Sequence, residues 1–244
     1  MTSKLKYCSS IFLVVLFSLS TRAQVEKTIV GEQDVEMTKE LTAGLNLHTN
    51  GGLIGGFSFK YQIRYNDRFY HYFNLEIANI KHRKEERFAT FSGSSVILGK
   101  TNYLFSIRPQ YGQQFLLFNK YPEDGVRLNA VVAGGPTIGL VKPYYVKVER
   151  DSSFQVVPYT ATLDDPIVGN GGFFNGFDQI TTKIGFNLKL GLDLEFSNYE
   201  STLTGIESGW IFEVFGEDIP LFISNQQTQF FNALYITIYF GSKY

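Results

Sequence analysis

The chain of 244 residues has few of the residues that build disulfides, metal centres and catalytic bases. It contains one cysteine, Cys8, and three histidines, and no two histidines have the spacing of metal ligands. The histidines His48, His71 and His82 lie in no recognisable catalytic motif, although a hydrolase would need a nucleophile with a positioned base. The sequence therefore predicts a protein that is not an enzyme and has no metal or cofactor.

No apolar run in the chain approaches the ~20 residues that a membrane-spanning helix needs. The most apolar segment lies between Lys6 and Ala23 and has the basic start and small-residue end of a secretory signal peptide. We expect residues 1–23 to be this signal and residues 24–38 to be a periplasmic tail. Because Cys8 precedes the apolar core, a lipid anchor at the cut is not expected. Any membrane insertion must then use strands.

An excess of positive charge is missing too. Without the three basic residues of the signal, 19 basic residues stand against 23 acidic residues. This balance gives no indication of nucleic-acid binding.

Strict alternation of apolar and polar residues is what the chain does have, most clearly over Ile180–Phe196. The even-numbered residues of this segment are apolar apart from Thr182, while the odd-numbered ones include four charges, namely Lys183, Lys189, Asp193 and Glu195. A period of two predicts a β-strand with a different environment on each face. The segment is much longer than an ordinary strand and long enough for the ~25 Å apolar band of an outer-membrane barrel. The predicted domain is an all-β, antiparallel transmembrane barrel over residues 39–244.

Eight segments have this pattern, and the eighth ends the chain with an aromatic strand. The predicted strands are 39–48, one ending at 65, one ending near 80, 102–119, 126–148, 180–196, 202–214 and 230–240. Gly134-Gly135-Pro136 is either a hairpin, which gives nine strands, or a kink or bulge inside one strand. Eight strands, an even number, place every long loop on one side of the membrane, so we favour eight, with ten as the alternative. Pro109 also suggests a bulge.

Three segments resemble the small outer-membrane barrel proteins of Bacteroidota: Ala23-Gln24, residues 134–145 and residues 229–241. The resemblance implies an outer-membrane location and often no assigned chemistry. Some members of such families are accessory subunits of export or barrel-assembly complexes. No catalytic residues are carried over from the resemblance.

Two groups of residues are candidate sites. The first is a charge network predicted to fill the barrel interior, because eight strands enclose a space that side chains just fill and buried charges must be paired. Its members are Arg64, Glu76, Arg108, Arg127, Lys183, Lys189, Asp193, Glu195, Glu207 and Glu213. The second is the glycine-rich loop with Phe173, Phe174 and Phe177, which we expect either to contact a partner or to dock on the barrel rim. The alternative is that these rings pack onto the stem of their own loop.

The sequence thus predicts a non-enzymatic outer-membrane barrel that acts as a scaffold or accessory subunit of an envelope complex for export or barrel assembly. Its expected partners are outer-membrane lipid and another envelope protein. A small solute or ion channel and a lipid-modifying outer-membrane enzyme are the functional alternatives. A soluble lipocalin-like or sandwich protein is the alternative fold, since alternation alone does not say which face is outside.

Overall fold

The computed structural model describes residues 39–82, 84–90, 93–119, 126–150, 153–160, 162–163, 165–196, 202–223 and 228–244. The predicted signal peptide and periplasmic tail lie outside these residues. The strands in chain order are β1 (Lys39–His48), β2 (Gly52–Arg64), β3 (Phe69–Ile80), β4 (Arg87–Ala89), β5 (Ser95–Ile97), β6 (Asn102–Phe118), β7 (Arg127–Pro143), β8 (Tyr145–Arg150), β9 (Ser153–Pro158), β10 (Ile167–Asn170), β11 (Thr181–Glu195), β12 (Thr202–Ile219) and β13 (Thr228–Lys243).

Eight of these strands, β1, β2, β3, β6, β7, β11, β12 and β13, close into an antiparallel barrel. The first and last strands seal it, with Glu40 paired to Lys243 at one end and His48 paired to Tyr235 at the other. The prediction of an eight-stranded antiparallel barrel is confirmed. The longer connections, residues 81–101, 144–180 and 220–227, join the strands at one end of the barrel, which we name the loop end. The ends of the described chain, Lys39 and Tyr244, lie at the opposite, terminal end.

The two faces of the wall have opposite chemistry. On β11 the apolar side chains of Ile184, Phe186, Leu188, Leu190 and Leu192 are 40% to 63% exposed on the outer face, whereas Lys189, Asp193 and Glu195 are buried inside. A soluble barrel would bury its apolar face, because the removal of apolar surface from water is the main driving force of folding. This wall has its apolar side chains outside and its charged ones inside, as expected for a barrel surrounded by the acyl chains of a membrane.

The segment Gly134-Gly135-Pro136 lies within β7, so the hairpin alternative is wrong. No bulge forms at Pro109 or at Pro136 either: pairing of β6 with β7 is interrupted between Ile107–Ile138 and Tyr111–Gly134 and resumes in the same register. This register places the two prolines opposite each other. Both lack an N–H to donate to the ladder, so the two strands share a single interruption.

Two small sheets lie at the loop end. Strands β10, β8 and β9 form a three-stranded sheet in that order, and β4 pairs with β5 as a hairpin. A 3-10 helix, Phe177–Gln179, leads into β11. Among the described residues, no helix is long and apolar enough to cross a bilayer.

Several predicted boundaries at the loop end were wrong. The fifth barrel strand ends at Pro143 and not near Val148, because the chain leaves the wall and continues as β8. The seventh continues to Ile219, past the predicted end at Val214, because Phe215 and Ile219 are buried in an apolar cluster of the interior. The segments 81–100 and 149–179, predicted as loops, contain β4, β5, β9 and β10.

Candidate functional site

The centre of the barrel interior is a continuous set of ion pairs. Arg108 binds two carboxylates, with 2.7 Å from Nη1 to Glu76 Oε1 and 2.8 Å from Nη2 to Glu213 Oε2. Lys189 Nζ lies 2.8 Å from Glu207 Oε1 and 3.4 Å from Glu76 Oε2. These five side chains come from four strands and are almost fully buried. Each charge therefore has at least one opposite charge beside it, as burial requires.

The network continues toward the terminal end through Lys60. Its Nζ atom lies 2.8 Å from Glu207 Oε2 and 3.8 Å from Asp193 Oδ1. Amides extend the polar contacts, since the side-chain amide groups of Gln114 and Asn129 both donate to Asp193 Oδ2, at 3.1 and 3.2 Å.

A second ion cluster closes the terminal end of the interior. Arg127 Nη1 lies 3.3 Å from Glu40 Oε1 and 3.1 Å from Glu195 Oε2. Lys243 Nζ bridges the same two carboxylates, at 3.5 Å from Glu40 and 3.1 Å from Glu195. Two cations and two anions from four strands thus hold this end together.

The loop end of the interior is apolar. A cluster of buried side chains from β3, β6, β7 and β12 and from the residues that follow β12 fills the lumen there, with Phe231 packed against it. The cluster consists of Ile80, Leu104, Val141, Phe215, Ile219 and Leu221. The described interior thus contains an ion network at its centre and an apolar layer at the loop end.

Eight of the ten residues predicted for the interior network lie inside the barrel, while Arg64 and Lys183 do not. Arg64 Nη2 binds Asp67 Oδ1 at 2.7 Å in the exposed turn after β2, and Lys183 pairs with the exposed Glu217. Both lie near strand ends, where side chains that face inward by alternation reach past the lumen into solvent. The prediction did not include Glu40, Lys243 or His48, although Glu40 and Lys243 continue the inward periods of the first and last strands.

The three histidines lie far apart in the fold. His48 is enclosed in the interior with Nε2 3.3 Å from Glu76 Oε1. His71 stacks on Tyr111 on the outer wall, and His82 stacks on Phe222 at the loop end, with ring centroids 5.0 Å apart in the second case. Within the described residues, no group of three or more histidine, cysteine, aspartate or glutamate side chains has the arrangement of a metal site.

The crown is the sheet β8–β10 with its apolar core at the loop end. Its core buries Val96, Tyr144, Val146 and Val148. The Tyr144 hydroxyl accepts a hydrogen bond from the N–H of Ile97 at 3.1 Å, which ties the β4–β5 hairpin to the sheet. Burial raises the pKa of the Tyr144 phenol above its ordinary value. This keeps the hydroxyl protonated and neutral.

A buried ion pair supports the crown from below. Lys100 Nζ lies 2.7 Å from Glu85 Oε2, and both side chains are nearly inaccessible. Burial lowers the pKa of the Lys100 ammonium, and the Glu85 carboxylate opposes that change. The charge run 81–87 thus contributes one structural carboxylate, while Arg83 lies outside the described residues.

Strand β9 is the open edge of the crown. It pairs with β8 alone, from Tyr145–Pro158 to Arg150–Ser153, and none of its side chains is charged. Phe154 is 60% exposed and Val156 is 45% exposed. This strand was not predicted from the sequence, because its apolar residues lie inside a segment that reads as a loop.

The three phenylalanines of the glycine-rich loop lie together at the rim. The ring of Phe173 is 5.6 Å from those of Phe174 and Phe177, and it also packs against Tyr103 and Phe105 on the outer wall. We name Phe173, Phe174 and Phe177 the aromatic wedge.

No model of a known protein family matches the sequence, and neither does any curated protein. Among solved structures, the chain is similar to Ail, the attachment invasion locus protein of Yersinia pestis, at 12% identity and a TM-score of 0.40, covering 86% of this chain and 99% of that one. The structure of Ail in complex with the heparin analogue sucrose octasulfate gives 10% identity and a TM-score of 0.39 over the same shares. Neisserial surface protein A, NspA, gives 11% identity and a TM-score of 0.35, covering 85% of this chain and 95% of that one.

The exposed apolar wall and the filled polar interior make this protein a barrel of the bacterial outer membrane. The surfaces accessible to water and to other molecules are therefore those of the crown and the rim.

Proposed function

We propose that this protein is a non-enzymatic, non-conducting barrel that acts as a scaffold or accessory subunit of an envelope complex. In this account the barrel anchors the crown in the outer membrane, and an extended segment of a partner protein pairs with strand β9. The open, uncharged edge of β9 is the observation that carries the proposal.

An open strand edge offers unpaired backbone groups to any extended chain, and most proteins protect such edges with charges, prolines or bulges. The described residues of β9 before Pro158 have none of these protections. The alternation of antiparallel ladders places the N–H of Val156 on the open side, because the hairpin closes with the Arg150–Ser153 pair. An added partner strand would form main-chain hydrogen bonds along this edge, and side chains would supply the specificity.

The face beside this edge supplies an apolar contact. Phe154 and Val156 project from the same exposed face, and Lys147 Nζ lies 4.5 Å from the centroid of the Phe154 ring. Glu149 pairs with Phe154 across β8 and β9. An apolar strip beside charges of both signs is typical of protein interfaces, which have an apolar centre and a polar rim.

The interior supports a barrel without an enzymatic or conducting role. Its charges bind one another, and the apolar cluster at the loop end occupies the lumen. An ion would have to displace paired side chains or cross an apolar layer, and both steps are costly. His48, the histidine nearest to a carboxylate, is 1% exposed in its side chain and is out of reach of a substrate.

The sequence resemblance supports the same role. Residues 134–145 and 229–241 resemble small barrels of Bacteroidota, some of which are accessory subunits of export or barrel-assembly complexes. We infer that the chain comes from a bacterium of this kind and is surrounded by its outer-membrane lipid.

Photo-crosslinking in intact cells tests the proposal. A photoreactive residue in place of Val156 should give an adduct with a partner protein, whereas one in place of Leu192, equally exposed but on the lipid-facing wall, should give none. With the photoreactive residue at position 154, Val156→Pro should abolish the adduct, because proline removes the outward N–H. Val156→Thr keeps that N–H and should retain the adduct.

The absence of any protein adduct at position 156 would contradict the proposal. So would an adduct at position 154 that Val156→Pro leaves unchanged. Heat-dependent migration in gels, which reports a closed barrel, is the folding control for each variant.

A further inference from the structure

We propose that the aromatic wedge is a membrane anchor that inserts into the outer leaflet beside the barrel. The molecules that it contacts there are lipids and not a protein partner. This inference is independent of the partner proposed for β9. It rests on where the wedge lies, at what depth it lies, and what lies beneath it.

The wedge lies on the outside of the wall. The Phe173 ring centroid is 5.9 Å from that of Tyr103 and 6.2 Å from that of Phe105. These two side chains face outward, because their neighbours Leu104 and Ser106 are fully buried in the interior. The loop after β10 therefore folds back over the barrel and does not project away from the membrane.

The depth of the wedge follows from β7. Its outward residues are apolar from Leu128 to Leu140, and Lys142 is the first charge beyond them. Twelve residues at ~3.3 Å each and a tilt of ~45° span about 28 Å, close to the ~25 Å apolar band of such barrels. Since Lys142 pairs with Tyr103 across β6 and β7, the wedge lies at the border of that band.

The backbone holds the three rings on one side of a tight turn. Gly172 and Gly176 flank the turn with φ of 92° and 82°, a region that other residues rarely occupy. The rings of Phe174 and Phe177 stack at 6.2 Å, and Phe174 is 85% exposed. A large apolar side chain is thus presented outward at the membrane border.

Lys142 fixes the wedge from below. Its Nζ donates to the carbonyl of Asn175 at 2.8 Å and lies 5.0 Å from the Phe173 centroid and 5.1 Å from the Phe177 centroid. Within the described part of the chain, no carboxylate lies within ion-pair distance of Lys142. The Lys142 side chain is buried, so its ammonium interacts with this carbonyl and with the ring faces and holds the wedge against the wall.

Lipid is the occupant that these observations favour. Residues 171–177 contain no charge, and Phe105 makes the wedge continuous with the lipid-facing wall. Because transfer of a phenylalanine side chain from water to an apolar medium is favourable, insertion of Phe174 would stabilise the folded-down loop.

Tryptophan fluorescence in vesicles tests the anchor. Trp210 is the only tryptophan and faces lipid, so the measurement uses a Trp210→Phe background with Phe174→Trp, in phosphatidylcholine vesicles with acyl chains brominated near the headgroup or near the end. We expect blue-shifted emission that the shallow bromines quench several-fold more strongly than the deep ones. Phe154→Trp in the same background is the matched control, and we expect iodide in the buffer to quench it while the bromines do not.

Emission from position 174 that behaves like that from position 154 would overturn the proposal. So would a protein adduct formed in intact cells by a photoreactive residue at position 174, because the occupant would then be a partner. If the tryptophan variants do not fold, Phe174→Cys and Phe154→Cys in a Cys8→Ser background, each labelled with a polarity-sensitive dye, give the same comparison. An apolar signal at position 174 alone supports the anchor, and equal signals at both positions contradict it.

Discussion

The centre of the barrel interior and the crown have cores of opposite character in one chain. The interior buries ion pairs such as Arg108–Glu76, while the crown buries apolar side chains such as Val146 and Val148. The cause is the environment outside each region. The apolar residues of the barrel wall face lipid, whereas the crown is surrounded by water and buries its apolar residues in its core. The same alternating sequence therefore produces a polar core in one medium and an apolar core in the other.

The change occurs within one run of alternation. From Leu128 to Val148 every even-numbered position is apolar or glycine except Lys142, while the odd-numbered positions mix polar residues such as Asn129 with apolar ones such as Val131. Up to Leu140 these residues face outward, and from Tyr144 onward they face the crown core. The pattern continues unchanged across a complete reversal of the surroundings.

Removing one charge from the interior should give the largest decrease in the free energy of unfolding. Arg108→Met leaves Glu76 and Glu213 buried beside fewer cations, and we expect a loss of about 3–5 kcal/mol in the free energy of unfolding. Urea titration of the protein in lipid vesicles measures this loss.

Lys183→Met is the matched control for Arg108→Met, because its pair with Glu217 is exposed, and it should cost less than about 1 kcal/mol. Replacing Glu76 and Glu213 by glutamine in the Arg108→Met variant should restore part of the stability. Equal effects of Arg108→Met and Lys183→Met would show that the interior pairs are not structural.

A smaller and local effect is expected in the crown. Tyr144→Phe removes the hydroxyl that accepts the Ile97 N–H and leaves that donor without its partner, which should cost about 1–3 kcal/mol. Hydrogen exchange by mass spectrometry should show faster exchange around Ile97 and unchanged exchange in the barrel strands.

Tyr145→Phe is the control in the crown, since its hydroxyl bonds to the exposed Gln179 at 2.9 Å. We expect a change within about 0.5 kcal/mol. A loss of protection in the barrel strands on Tyr144→Phe would mean that crown and barrel unfold as one unit.

The smallest effect concerns pH at the rim. Burial, and then the charge of Lys84, lower the pKa of His82 below its ordinary value. The folded loop therefore favours neutral His82. The contribution of this histidine to the free energy of unfolding is fully present above about pH 6.5 and is lost as the pH falls through the lowered pKa. An NMR titration of the His82 ring measures this pKa, and Lys84→Met should move it upward. A pKa that is unchanged by Lys84→Met would rule out the proposed charge effect.

The barrel was largely predictable from the sequence, and the crown was not. Alternation over β11 predicts both faces correctly because each face meets one uniform medium along the whole strand. It fails at Lys183 and Arg64, where the strand continues past the lumen, and near Pro143, where the medium changes while the pattern does not. The wedge depends on contacts between Lys142 and residues more than 30 positions away, which no local pattern encodes.

Ion conductance in planar bilayers tests most directly the central claim that side chains close the barrel interior. With folded protein inserted, as shown by heat-dependent migration, we expect no conductance steps above those of the bare bilayer. Reproducible single-channel openings of the wild-type protein would contradict the account, because a conducting barrel needs a continuous aqueous path through the charge network and the apolar cluster.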